Sequence, residues 1–282
     1  MLRHILGVDH TVIMVADLDA AQRTYERLGF TLSPRARHSA HMGTANHTIM
    51  LGRDYFELLG VLAPTEQNAN WRRRLAEREG LHGIALATDD AEKAQAELKG
   101  SGIAASEAVR FSRPVDLPKG GTKEAAFVVT KLPEEATPGG VLFVCGHLTR
   151  DVVWLPELQR HANGAMALAE VVMAHKDLDA VAAAYGRIFG RETVTRVADR
   201  VTVATGTIPL TVLAPGAVPG RYPGVAMGKV PEIGIVGMAV SVGDLAQTGQ
   251  CLAKGGFKPA AVPGRLTVPP SAACGVAFEF RG

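Results

Sequence analysis

Four times along this chain a short apolar strand runs into an acidic turn, a helix and a glycine, and repetition of such a unit leaves few architectures open. Val8 to Phe30 reads as a strand, the turn Asp17-Leu18-Asp19 and a helix with Ala21, Tyr25 and Leu28 facing inward, closed by Gly29. Glycine tolerates the positive φ with which helices commonly end. Ala169 to Gly190 repeats this without a gap: Val171 to Met173, then Asp177-Leu178-Asp179, then a helix carrying Ala183, Tyr185 and Phe189 inward. Weaker copies run from Leu81 to Gly102 through Asp89-Asp90 and from Val236 to Gly256 through Gly243-Asp244. After each copy come β-branched runs broken by Gly and Pro, at 47–51 and 55–61, 125–130 and 141–145, 200–204 and 209–213, and 266–268 and 275–280; this composition favours strands. The order β-α-β-β-β taken four times predicts an α+β chain with two modules paired in residues 1–148, a connector at 149–164, and two more modules in 165–282.

Composition narrows the partners. Across 282 residues, 30 Lys and Arg stand against 28 Asp and Glu, a net charge of +2, which supplies no basic field for nucleic acid. Arg72-Arg73-Arg74 reads as one solvated helix face. Cys145, Cys251 and Cys274 form no Cys-x-x-Cys pair and are too few for a disulfide framework, as in a reducing cytoplasm. No stretch approaches the roughly 18 apolar residues of a membrane span, and Met1 to Gly7 holds no apolar leader. The expected partner is a small molecule, with neither nucleic acid nor membrane involved.

Asp9-His10-Thr11-Val12, Asp17-Leu18-Asp19, Leu28-Gly29-Phe30, the run His41-Met42-Gly43-Thr44-Ala45-Asn46 and Tyr55-Phe56-Glu57-Leu58 together resemble the glyoxalase-like family of the vicinal oxygen chelate superfamily. In its repeat layout the resemblance covers nearly the whole chain. It implies that the four βαβββ modules pair into two half-open barrels, each able to hold a divalent metal on inward-facing residues of the first and last strands of its modules. The substrate of such a protein chelates the metal through two neighbouring oxygens. The superfamily includes glyoxalase I, ring-cleaving dioxygenases, epimerases and metal-free drug-sequestering proteins, so the fold does not choose among them.

Carried onto this sequence, the family's ligand positions in the first half fall on His10, Glu57 and His82, with Phe143 where a fourth, carboxylate ligand is expected. Two imidazoles and a carboxylate suit Fe2+, Mn2+, Zn2+ or Ni2+ and leave positions open for substrate. Glu57 stands in Tyr-Phe-Glu-Leu-Leu-Gly, where an unpaired carboxylate would be costly, and it is also the candidate catalytic group. Strand alternation puts Phe143, Cys145 and His147 on one face, so Phe143 and His147 are expected at the substrate, with His147 also able to offer a nitrogen. The second half offers Glu170, Thr211, Val236 and Glu279 at the matching strands. Without an imidazole it is expected to be structural or part of an interdomain or homodimer contact, unless Glu170 and Glu279 hold a hard cation or substrate.

The segment from Arg35 to His47 is dense in polar groups. The family's matching stretch lines the pocket, which makes His41, Thr44, Asn46 and His47 candidate substrate contacts, against the alternative of a solvated hairpin. In the connector, Trp154, Pro156, Arg160, His161 and Asn163 suit either recognition or ordinary packing. The expected function is a divalent-metal-dependent enzyme acting on a small molecule with adjacent oxygens, an isomerase or lyase like the glyoxalases or a ring-cleaving dioxygenase. A metal-free binding protein is the alternative; surviving His-Glu-His positions and only 5% aromatic residues favour the enzyme.

Overall fold

Asp17, Asp90, Asp177 and Asp244 do one local job: each caps a helix, accepting the backbone N–H of Ala20 (2.9 Å), Lys93 (3.0 Å), Ala180 (2.9 Å) and Ala246 (2.7 Å). Each cap stabilises its helix by ~1 kcal/mol. The computed structural model describes residues 2–117, 120–137 and 139–282. The first half runs β1 (Gly7–Val15), α1 (Leu18–Arg27), β2 (Ala36–Arg37), β3 (Thr44–Met50), β4 (Tyr55–Val61), α2 (Ala69–Glu77), β5 (Gly80–Ala87), α3 (Ala91–Gly100), β6 (Val109–Asp116), β7 (Thr122–Lys131) and β8 (Val141–His147). A short α4 (Arg150–Val153) follows. The second half runs β9 (Ala165–His175), α5 (Leu178–Phe189), β10 (Val194–Val197), β11 (Arg200–Val203), β12 (Leu210–Leu213), α6 (Val218–Arg221), β13 (Ile233–Val242), α7 (Leu245–Lys254), β14 (Ala260–Val262), β15 (Arg265–Val268) and β16 (Ala277–Arg281).

The two eight-stranded sheets have the same order, β2-β3-β4-β1-β5-β8-β7-β6 and β10-β11-β12-β9-β13-β16-β15-β14. In each module the first strand pairs parallel with the last, and the two modules of a sheet join through their antiparallel first strands. The α+β fold of four βαβββ modules in two half-open barrels is thus present. The βαβββ order calls for one more strand per module than the runs located in the sequence, and these are β2, β6, β10 and β14, the outermost strands of the two sheets. Edge strands face water on more sides and carry weaker apolar patterns, and β6 contains Pro114, which an edge tolerates. On α5 the inward alanine is Ala184 rather than Ala183, which is exposed.

One apolar core serves both sheets. Tyr25 and Phe30, from and just beyond α1, and Phe56 from β4 pack on Phe278 of β16, with ring centroids 5.4 Å apart for Phe30 and Phe278 and 5.6 Å for Phe56 and Phe278. On its other face the first sheet is covered twice. Trp71 and Leu75 of α2 pack with Val12, Met14 and Leu59, while Val152, Val153 and Leu158 of the connector pack with Tyr55, Phe127 and Cys145. The connector's polar residues act as fasteners: His161 bonds the Thr31 N–H and the Met50 carbonyl, and Asn163 bonds the Leu28 carbonyl.

Asp54 ties the halves by accepting the Leu168 N–H at 2.8 Å, and only 4% of it is exposed. Burial pushes its carboxyl up to about 6 from an ordinary 3.8, against the opposing pull of the Leu168 hydrogen bond. Because the folded value is the higher one, Asp54's contribution is fully present below pH 3.8 and is lost as pH rises through about 6. Asp54→Asn keeps an acceptor without a charge. The variant is expected to be more stable than the native chain by about 1–3 kcal/mol at pH 8, with the difference closing toward pH 4, as read by denaturant unfolding at both pH values.

Candidate metal centre

The central strands β4, β1, β5 and β8 align Tyr55, His10, Ala85 and Phe143 in one row, with Glu57, Val12, Gly83 and Val141 in the next row on that face. Tyr55 stacks on the His10 ring at 4.1 Å and Phe143 meets it edge-on at 5.6 Å. Alternation alone would turn Asp9 to the opposite face. However, the pairing of β1 with β5 shifts between Val8 and His10, leaving Asp9 as an extra residue, and a bulge of this kind re-aims its side chain. Asp9 Oδ2 accepts from His10 Nδ1 at 2.7 Å and from His147 Nε2 at 3.0 Å.

Burial pushes the Asp9 carboxyl up, but the hydrogen bonds and charges of His10 and His147 outweigh it and hold the group far below the usual carboxylate range. An ionised carboxylate only accepts, so the bonded nitrogens carry the protons. His10 Nε2, on the side of the ring away from Asp9, faces the Tyr55 hydroxyl at 3.3 Å, and His147 Nδ1 is buried with no hydrogen-bond partner among the described residues. One ligand atom from each of Asp9, His10 and His147 lies within 4.8 Å of the others, the sole such group among the described residues. Two atoms sharing an ion at about 2.1 Å lie at most about 4.2 Å apart, so a shared ion requires the cluster to tighten and the nitrogens facing Asp9 to give up their protons or turn away. The orphaned His147 nitrogen and a carboxylate fixing a ring through its other nitrogen both fit a metal centre. Trp154 closes over it, 4.9 Å from the His147 ring and 5.4 Å from Tyr55, with Arg150 3.4 Å from the Trp154 ring centroid.

The structure does not gather His10, Glu57 and His82 into one ligand group. A second register shift, between Val12 and Ile13, makes His82 the extra residue of β5, and its Nε2 is taken by the Arg78 carbonyl beyond α2, at 2.9 Å. Burial and the charges of Arg78 and Arg74 lower His82 to about 4, partly offset by that hydrogen bond. The Glu57 carboxylate is held by the Asn46 amide. Thr44 bonds His38 at 2.8 Å. His41 is exposed on the hairpin, and its ring reaches only the Ser39 hydroxyl at 3.5 Å. His47 pairs with Leu58, on the face opposite Glu57, and is tied to the Ser33 carbonyl at 2.8 Å. Sequence alone thus overlooks Asp9 and Tyr55 as site residues, and reads Trp154 only as a recognition or packing residue of the connector. Tyr55 was findable as the residue two before Glu57 on the same strand face, whereas Asp9 was hidden by the bulge.

A family model described as a glyoxalase-like domain matches residues 8–189, more than half of the chain. The chain belongs to the glyoxalase-like domain family. No curated protein matches it. Among solved structures it is similar to a hypothetical protein from Staphylococcus aureus, at 12% identity and a TM-score of 0.68 over 97% of this chain and 98% of that one. A mutant of 4-hydroxymandelate synthase from Streptomyces coelicolor is similar at 13% identity and 0.62, over 98% and 92%. The Mn(II)-bound glyoxalase from Novosphingobium aromaticivorans is similar at 12% identity and 0.55, over 98% and 82%. At these identities the likeness is one of fold, and that fold is the vicinal oxygen chelate superfamily's.

The second barrel of this glyoxalase-like chain has the same register with different occupants. Glu170 pairs with Ala239 and Ala239 with Glu279, as His10 pairs with Ala85 and Ala85 with Phe143. Thr211 donates to Glu170, and Arg221 of α6 reaches Glu170 at 2.9 Å and Glu279 at 2.9 Å, joined by Arg281 and Arg265. Guanidiniums therefore occupy the space between the two carboxylates. Burial raises Glu170 and Glu279, but bonds from Thr211 to Glu170 and from Arg221 and Arg281 to both bring them below the ordinary carboxylate value. Their contribution is present above that value and is lost as pH falls through the folded ones. Arg221→Met is expected to cost about 3 kcal/mol at pH 7, with the penalty shrinking below pH 4 as the glutamates protonate, measured by urea unfolding across that range.

Proposed function

We infer that this chain is a divalent-metal-dependent enzyme acting on a small molecule with two adjacent oxygens, with its centre at Asp9, His10 and His147. The buried, unpartnered Nδ1 of His147 beside an ionised Asp9 and a stacked His10 carries this reading. Two imidazoles and a carboxylate suit Fe2+, Mn2+, Zn2+ or Ni2+. Such an ion would supply Lewis-acid polarisation of the two substrate oxygens. Asp9 orients both rings, Tyr55 offers a hydroxyl proton beside His10, and Phe143 and Trp154 exclude water. Glu57, one row away and held by Asn46, is placed to take a proton from substrate. The neighbours' printed names, a Mn(II)-bound glyoxalase and a 4-hydroxymandelate synthase, support an enzyme and, in the first case, a divalent metal.

One observation favours a second reading, a metal-free binding protein. Asp9 is already compensated by two imidazole donors and needs no ion to remain buried. Metal analysis by mass spectrometry on tag-free protein separates the two. The native chain and His82→Ala are expected to carry near-stoichiometric metal, and a His10→Ala/His147→Ala variant less than a tenth of it. Iron would direct assays to oxygen-dependent chemistry, and zinc, nickel or manganese to isomerase and lyase chemistry. A native chain that takes up no metal after anaerobic reconstitution overturns the enzyme reading, and loss of metal in His82→Ala overturns this ligand set.

A further inference from the structure

β6 is mostly exposed, yet Phe111, Arg113 and Val115 alternate toward the barrel interior, placing an arginine in an apolar row. Arg113 is 7% exposed and makes no hydrogen bond or ion pair among the described residues. Its guanidinium lies 5.8 Å from the Phe127 ring centroid. Glu57 acts on it electrostatically but is bonded by Asn46 instead. A buried guanidinium without a counter-ion is costly to keep, and a bound anion is the ordinary way to resolve that cost.

Arg113 lines a cavity of about 350 Å3 whose other walls include Arg35, Arg37 and Asp116, with Leu155 and Leu158 of the connector on its apolar side. Arg35 is engaged by Asp19, and Arg37 and Arg113 outnumber Asp116, so the cavity's net charge is positive. Its volume lies at the low end of the roughly 300–1,000 Å3 typical of small-molecule sites. A planar guanidinium fork matches a carboxylate bidentately, and apolar walls with one carboxylate among them disfavour a phosphate dianion.

We propose that this cavity binds a small organic monocarboxylate with an apolar body, its carboxylate held by Arg113 and its body by the connector leucines. The Phe127 ring beneath Arg113 is 5.2 Å from the His147 ring, which sets the anion one aromatic ring from the candidate metal centre. The assignment stands on Arg113 and the cavity, whether or not a metal binds.

The test is calorimetric titration of the full chain, untreated and chelator-treated, with benzoate and hexanoate, using benzamide and inorganic phosphate as controls. At least one carboxylate is expected to bind with Kd below ~1 mM, unchanged by the chelator, while the controls do not bind. Arg113→Met is expected to weaken that binding at least tenfold. With the uncompensated charge removed, the same variant is expected to raise the ligand-free Tm by about 2–4 °C. A lower Tm marks Arg113 as structural and overturns the proposal. So do unchanged affinity in the variant, equal binding of benzamide, preference for phosphate, or failure of both carboxylates to bind.

Discussion

Antiparallel pairing between first strands, β1 with β5 and β9 with β13, holds each barrel together, and the places where that pairing slips decide what chemistry each barrel presents. Two slips fall at matching positions in the two sheets, and the second sheet adds a third at Met166. Asp9 and His82 are the extra residues in the first, and Ala169 and Val236 in the second. A backbone device shared by both halves therefore displays polar side chains in one and apolar ones in the other. Beside each inner bulge stands a glycine, Gly83 or Gly237, where an added Cβ would meet Trp71 at 2.8 Å or Tyr222 at 2.3 Å. The glycines let an aromatic from the segment covering the concave face sit directly on the sheet, so the bulge and its cover are built as a unit.

The two centres show how one set of strand positions tolerates opposite solutions to buried charge. In the first barrel a single carboxylate is compensated by two imidazoles, of whose remaining nitrogens one meets the Tyr55 hydroxyl and the other, among the described residues, has no partner. In the second, two carboxylates are compensated by guanidiniums whose donors are directed at protein oxygens. Buried charge is stabilised in both, but only the first arrangement leaves a ring nitrogen, His147 Nδ1, without a partner among the described residues.

Much of the fold was legible because its signals are local. An aspartate that caps a helix and a glycine that ends one are read residue by residue, and β-branched runs between them name the strands. The outer strands escaped because exposure erases the apolar alternation that marks a strand. His10 was legible as an imidazole on a central strand, as was the lack of an imidazole at the matching positions of the second barrel. Asp9 was not, since period-two alternation breaks at a bulge and no local residue announces one. The second bulge similarly drew His82 to the Arg78 carbonyl, away from the expected ligand set. Arg113 lay in plain view between Phe111 and Val115, but its lack of a partner is a property of the assembled barrel that no stretch of sequence contains.

The connector binds these parts mechanically. Its far end is pinned to the first half by His161 and Asn163, while its nearer part lays Trp154 over His147 and Leu155 and Leu158 against the Arg113 cavity. The same segment is the covalent tether to β9. A molecule seated in that cavity lies against Leu155 and Leu158, on a segment fastened at its far end by His161 and Asn163. The wall of the first barrel's cavity and the covalent link to the second barrel are therefore one continuous piece of chain.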